Sequence, residues 1–358
     1  MRLVIAGGGT GGHLFPGIAV ARTLMARGPD NALLFVGTER GLEKRLVPQA
    51  GFPLRFIRAG ALKGRSPGQA VRTLLGLPGA FAASLGILRD WRPDAVLGVG
   101  GYASGPVLAA AATLRVPRAI LEPNAVPGVT NRALGRIVNE VYVAWDETKG
   151  RFPEGRAVTT GNPVRAEVGE TPARGPGGTF TLLVFGGSQG ARRINEALTA
   201  ALALLGEAAR DWRFVHQTGP ADLEKVREAY GAIGLTADTA AFFDDMPSRY
   251  RNADLVLCRA GATTIAELAG AGRGAILVPY PFAADDHQAA NARMLERAGA
   301  AVTILEKDLS PAGLADLLRE IAGDPARARE MGRRARAQAR PGAAGVILDR
   351  LAVLAARR

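Results

Sequence analysis

The sequence has one cysteine, Cys258, only three histidines, and no charge-free run longer than 20 residues. A single cysteine excludes an intrachain disulfide and fits a reducing compartment. The longest charge-free run, residues 95–114, matches a membrane-spanning helix in length, but Gly98, Gly100, Gly101, Gly105 and Pro106 interrupt it. It reads better as strand, loop and helix. A shorter run, residues 73–88, carries Gly76, Pro78, Gly79 and Gly86. The N-terminus, MRLVIAGGGT, reaches glycine too soon for the apolar core of roughly 7–15 residues that a secretion signal needs. Neither a leader nor a membrane span is expected.

Ligands for metals are also scarce. No His, Cys and Asp spacing suits zinc, and no Asp-x-Asp pair is present to hold a metal-bound diphosphate. No metal and no cofactor are expected. Acidic residues are scarce in the first half: residues 1–160 hold 10 Asp+Glu against 20 Lys+Arg, whereas the remainder holds 23 against 25. Eight basic residues and no acidic one lie from Lys44 to Arg89. Such a field attracts nucleic acid, an anionic membrane surface or an acidic small molecule, or it serves only as solubility charge. No nucleic-acid motif accompanies it, so nucleic acid is not expected.

What is present is an alternation of apolar strands and helices in a chain of 358 residues, enough for two domains of roughly 150 residues each. The first half opens with LVIAGGGTGGH (3–13), then a helical run through Leu14, Ile18, Ala21 and Met25, then ALLFVGT (32–38). AVLGVGG (95–101) and RAILEPN (118–124) read as strands running into loops. After the Pro/Gly-rich segment 171–179 the pattern restarts with TLLVFGGSQGARR (181–193). RFVHQTG (213–219), DLVLCRAGATT (254–264) and AILVPYP (275–281) follow. The expected fold is α/β, two Rossmann-like domains with a cleft between them. The last 17 residues read as a helix able to pack on either.

Three loops share one design: a strand ends, glycines turn the backbone, and a helix begins whose free N–H groups attract anions. They are Gly7–Gly12, Gly186–Gly190 and Gly261–Thr264. The first contains Gly7, Gly9 and Gly12 in G-x-G-x-x-G spacing, with Glu39 where a dinucleotide-binding protein places its ribose acid. A nicotinamide oxidoreductase is therefore one open reading. Thr10 and Ser188 sit inside glycine loops, where a hydroxyl bonds substrate or caps a helix. His13, directly after the first loop, is a candidate general base or a hydrogen-bonded structural histidine.

In order along the chain, GGGTGGHLFPGIAVA (7–21), VLGVGGYASGP (96–106), EPN (122–124), GNPVR (161–165), GGSQGA (186–191), FFDDM (242–246), CRAGATTIAELA (258–269) and ADDHQAANA (284–292) resemble the MurG family. These are the UDP-N-acetylglucosamine:lipid I N-acetylglucosaminyltransferases. The resemblance implies the GT-B fold. Residues 1–162 would be an acceptor-binding and membrane-associating domain to which the final helix, about 341–358, returns. Residues 163–340 would bind UDP-N-acetylglucosamine. It also implies an inverting transfer to the 4-hydroxyl of lipid I, giving lipid II.

By motif, the resemblance assigns donor contacts to Thr10, Gly11 and Gly12, places Asn124 near the transferred sugar, and places Arg165 and Ser188 near the diphosphate. Ala262, Thr263, Thr264, Ile265 and Ala266 would cap the diphosphate through backbone N–H groups, and Glu267 would accept from the ribose hydroxyls. Phe243 takes the position that abuts uracil, where relatives often carry a smaller aliphatic, and Gln288 would read sugar hydroxyls. His13 is the candidate base and Glu122 the alternative or a positioning group; Leu121 and Pro123 stand where many relatives carry His and Gln. Tyr102 would shape the acceptor pocket. The implied location is the cytoplasmic face of the membrane, with anionic lipid and cell-wall synthesis and division proteins as partners. The apolar run Leu74, Leu75, Leu77, Phe81, Leu85, Ile87, Leu88 and Trp91, flanked by Arg72 and Arg89, is the candidate membrane contact or a core helix. Within the same fold, a diacylglycerol glycosyltransferase or a UDP-sugar 2-epimerase would use the same cleft with another acceptor; the GGYASGP and EPN loops favour lipid I.

Overall fold

Leu3, Val4, Ile5 and Ala6 are buried on both sides, as a central strand of a parallel sheet must be, and form β1 (Arg2–Gly7). The computed structural model describes residues 1–9, 11–39, 41–60, 67–169, 178–187 and 190–357, with side chains from Leu75 onward in the helix that opens at residue 67. The chain divides into unit 1, Met1–Arg165 with Gly342–Arg358, and unit 2, Ala166–Pro341. Arg165 of GNPVR thus closes unit 1, three residues beyond the boundary read from the sequence.

Unit 1 continues through α1 (Gly11–Ala26), β2 (Ala32–Gly37), α2 (Glu43–Gln49), β3 (Leu54–Phe56), α3 (Pro67–Trp91), β4 (Ala95–Gly100) and α4 (Ser104–Thr113). β5 (Arg118–Glu122), α5 (Val129–Leu134), β6 (Glu140–Val143) and β7 (Ala157–Thr159) complete it. Its seven strands are parallel in the order β3-β2-β1-β4-β5-β6-β7. Unit 2 comprises α6 (Ala166–Gly169), β8 (Thr181–Phe185), α7 (Arg192–Leu205), β9 (Arg213–Gln217), α8 (Leu223–Ala232), β10 (Ala237–Ala240) and α9 (Met246–Asn252). It ends with β11 (Leu255–Cys258), α10 (Ala262–Ala271), β12 (Gly274–Leu277), α11 (His287–Arg297), β13 (Ala301–Thr303), α12 (Pro311–Gly323) and α13 (Pro325–Ala337). Its parallel order, β10-β9-β8-β11-β12-β13, is the doubly wound one. In each unit the strand order reverses beside the first strand, between β1 and β4 and between β8 and β11. The loops at those strands' C-terminal ends are where such sheets bind ligands.

The tail forms α14 (Ala343–Ala356) and packs on α1 in unit 1. Ile347, Leu348 and Leu351 enter the core with Leu14, Ile18 and Leu24, contributing roughly 2 kcal/mol each. Arg350 grips Glu140 bidentately (2.7 and 2.5 Å), and Arg27 pairs with Asp349 (2.7 Å). The glycines and Pro78 that argued against a span do not interrupt α3, which runs through all of them. Its Ala80, Ser84 and Leu88 are buried, and Phe81, Leu85, Ile87 and Trp91 pack against the core beside them. Most of the candidate membrane contact is therefore core. Of its described side chains only Leu75, 76% exposed, projects into solvent, and Leu74 lies outside the described side chains. Among the described residues no helix is long and apolar enough to cross a membrane.

Candidate active site

In unit 1 the loops after β1 and β4 are tied together. The Gly8 N–H donates to the Gly100 carbonyl at 3.2 Å. The buried Ser104 hydroxyl accepts from the Gly100 N–H (3.1 Å) and lies within donating distance of the Ala6 carbonyl (2.8 Å). His13, half-buried in the first turn of α1, lays its imidazole against Gly100. A Cβ there would collide with the ring, and the φ of +99° independently favours glycine. Gly11 and Gly12 open α1, and Tyr102, 52% exposed, projects from the second loop. Thr10 lies outside the described residues.

Glu43, which the sequence did not single out, changes the reading of the first loop. Glu39, the ribose acid of the dinucleotide reading, is exposed. Glu43 is 1% exposed and turns its carboxylate into the loop. Oε2 accepts from the Gly9 N–H at 2.7 Å, and Oε1 accepts from the N–H and hydroxyl of Thr38 at 2.9 Å each. A nucleotide phosphate in this loop would face a buried carboxylate already holding a donor the phosphate needs, and like charges at that range repel strongly. The only trace in sequence is one acid opening a helix among Lys44 and Arg45.

Glu122 ends β5 at 1% exposure. Its Oε1 accepts from the backbone and side-chain N–H of Asn124 (3.0 Å each). Its Oε2 accepts from Gly128 N–H (3.1 Å) and the Asn131 amide (3.0 Å). Burial raises its pKa, and these donors offset only part of that rise. Four donors on two oxygens make it the clasp of the EPN loop, and they fix Asn124 beside it. Arg165 lies over the Phe15 ring at 5.9 Å, both in unit 1.

In unit 2 the corresponding helix ends are open. Among the described residues, neither α7 nor α10 has a capping side-chain hydrogen bond at its N-cap or an acid of its own in the first turn, so each presents the positive end of its dipole to the loop before it. Ala262, Thr263, Thr264, Ile265 and Ala266 supply the first turns of α10, and Glu267 follows at 8% exposure. Tyr250 on α9 donates its hydroxyl to Glu267 Oε2 at 3.1 Å. Its ring packs edge-on against Phe185 (6.0 Å), and its carbonyl receives Arg273 Nε (2.7 Å). Burial, then the Glu267 charge, pushes the Cys258 thiol upward, so this cysteine is an inert core group.

The Phe243 ring is 5% exposed and lies under the Arg249 guanidinium at 4.2 Å, while Phe242 is 45% exposed. Gln288 on α11 accepts the Tyr280 N–H at 3.0 Å through its amide oxygen. Arg259 is occupied: it donates to the Val278 and Pro279 carbonyls (3.2 Å each) and pairs with Glu306. His216 is fully buried, its Nε2 against the Asn195 Oδ1 at 3.0 Å, and burial depresses its pKa to about 3. Ser188 lies outside the described residues. Among the described residues no group of three His, Cys, Asp or Glu could hold a metal.

Two doubly wound parallel sheets, one in each unit, make this a protein of the GT-B fold. The chain matches the glycosyltransferase family 28 N-terminal domain over residues 3–143 and its C-terminal domain over 181–346. It is 48% identical over 351 residues to the UDP-N-acetylglucosamine–N-acetylmuramyl-(pentapeptide) pyrophosphoryl-undecaprenol N-acetylglucosamine transferase of Myxococcus xanthus, covering 98% of this chain and 92% of that one. A crystal structure of Acinetobacter baumannii MurG superposes with a TM-score of 0.79 at 32% identity, covering 98% of this chain and 99% of that one. The UDP-GlcNAc 2-epimerase of Neisseria meningitidis shares the fold alone (TM-score 0.69, 12% identity, 99% of this chain and 100% of that one). The chain belongs to the MurG family of N-acetylglucosamine transferases.

Proposed function

We propose that the chain transfers N-acetylglucosamine from UDP-N-acetylglucosamine to the 4-hydroxyl of the muramoyl sugar of lipid I, with inversion, forming lipid II and UDP. Unit 2 binds the donor. The diphosphate sits on the first turn of α10, residues 262–266, with Ser188 and Arg165 adding donors, and the positive helix end stabilises the charge that develops on UDP. Glu267 accepts from the ribose hydroxyls, the backbone around Phe243 meets uracil, and the Gln288 amide reads the sugar. In unit 1, Thr10, Gly11 and Gly12 complete the donor contacts and Asn124 meets the transferred sugar.

His13 takes the proton from the acceptor hydroxyl as it attacks the anomeric carbon. Glu122 is given the positioning role, because its oxygens already hold four donors of its own loop. Tyr102 borders the acceptor. The observation that carries the assignment of donor to unit 2 is the contrast between the glycine loops. Glu43 fills the first, whereas α10 opens uncapped with Glu267 on its inward face.

The acceptor's polyprenyl tail places the enzyme at the cytoplasmic membrane surface as a peripheral protein. Exposed Leu75 and Phe56, with exposed Lys44, Arg45, Arg55 and Arg58, are the proposed contact with anionic lipid. Cell-wall synthesis and division proteins are the proposed protein partners. The test is transfer of radiolabelled N-acetylglucosamine to a short-tailed lipid I analogue. Product formation supports the reading; intact UDP binding with no transfer to lipid I contradicts it.

A further inference from the structure

Resting on the donor reading of unit 2, we propose that Gln217 is a positioning residue that couples the diphosphate loop to the base loop and thereby sets nucleotide specificity. Gln217 is the last residue of β9, which lies between β8 and β10 in the parallel sheet. Its register partners are Phe185, the last residue of β8, and Ala240, the last residue of β10. Because all three strands run the same way, the loops that leave β8 and β10 emerge on either side of Gln217 at one edge of the sheet.

The side chain reaches both. Its amide nitrogen donates to the Gly187 carbonyl at 3.0 Å, in the glycine loop that follows β8. Its amide oxygen accepts from the Phe243 N–H at 2.9 Å, in the loop that follows β10. Gln217 is 3% exposed, so both bonds are sheltered from water and neither group has solvent to fall back on. The next residues reinforce the joint: the Thr218 N–H donates to the Ala240 carbonyl (3.0 Å), and Asn195 of α7 donates to the Thr218 carbonyl (3.0 Å). Gly190, at φ +78°, lies so close to that carbonyl that a Cβ would strike it.

A primary amide supplies a donor and an acceptor from a single planar group. A glutamate would keep the acceptor for Phe243 and set an oxygen against the Gly187 carbonyl. A methionine would fill the space and make neither bond. Movement of either loop is thus transmitted to the other, and a nucleotide must satisfy both at once.

The test is calorimetric binding of UDP, UMP and TDP to the full chain and its Gln217→Glu and Gln217→Met variants, with hydrogen exchange over residues 186–190 and 241–246. In the wild type, UDP should protect both segments; absence of that protection would defeat the donor reading itself. In Gln217→Met, UDP should bind about tenfold more weakly, and the UDP/TDP preference should fall by a similar factor. In Gln217→Glu, the UDP/UMP ratio should fall while the UDP/TDP ratio is retained. If the wild type shows protection and both variants keep wild-type affinities and ratios, the coupling role is overturned. Should a variant fold poorly by circular dichroism, exchange in the wild type still decides: the Phe243 amide must exchange far more slowly than its neighbours.

Discussion

The Tyr250 hydroxyl donates to Glu267 Oε2 at 3.1 Å, linking α9 to the carboxylate assigned to the ribose. The bond fixes the rotamer of that carboxylate. Tyr250→Phe should raise KM for UDP-N-acetylglucosamine about threefold to tenfold and leave kcat nearly unchanged, the loss expected for one ordinary hydrogen bond. Discrimination against a 2′-deoxyribose donor should shrink by the same factor. Steady-state kinetics with both donors checks this; equal KM values for wild type and variant would remove Tyr250 from ribose recognition.

Glu43 supports the first glycine loop from beneath. Glu43→Ala strips the Gly9 and Thr38 donors of a charged acceptor and should lower stability by about 3 kcal/mol. Transfer should fall with it, whereas UDP affinity should stay within about twofold, inside the usual scatter for sites in separate contact networks. Parallel denaturation, transfer and UDP titration measure all three. A large loss of UDP affinity would put the diphosphate itself on this loop instead of on α10.

His13 and Glu122 separate by role. His13→Gln should lower kcat by about 10²–10⁴ while UDP binding persists. Glu122→Gln replaces two accepting oxygens by one and should mainly raise the acceptor KM, because the Asn124, Gly128 and Asn131 donors lose their clasp. Acceptor titrations of the two variants distinguish them. The reverse pattern would make Glu122 the base.

His216 gives unit 2 a pH dependence. Its folded pKa, about 3, lies below the unfolded 6.5, so the unfolded chain binds more protons between those values. Stability is full above about pH 6.5 and is lost as the pH falls through that window, at up to ~1.4 kcal/mol per pH unit. Urea unfolding at pH 7.5, 6 and 5 should show the decline, and His216→Gln should flatten it. An unchanged slope in the variant would assign the effect to other groups.

Much of the architecture was legible because central parallel strands are continuous apolar runs: β1, β2, β4, β8, β11 and β12 each announce themselves, as does the restart at residue 181. The edge strands did not. β3 (LRF), β7 (AVT), β10 (ADTA) and β13 (AVT) have three or four residues, several only half-buried, so no apolar run marks them. The proposed site residues were named by motif. Their supports were hidden, because Glu43, Tyr250 and Gln217 act through side-chain hydrogen bonds to other segments that no spacing encodes. The α3 stretch left two readings open for a related reason: an apolar run looks the same whether it meets lipid or its own core.

The most direct measurement is a crystal structure of the chain soaked with UDP-N-acetylglucosamine. The expected density lies at the first turn of α10, with the diphosphate on the N–H groups of residues 262–266 and the ribose hydroxyls on Glu267. Nucleotide density in the Gly7–Gly12 turn, with Glu43 displaced and α10 bare, would contradict it.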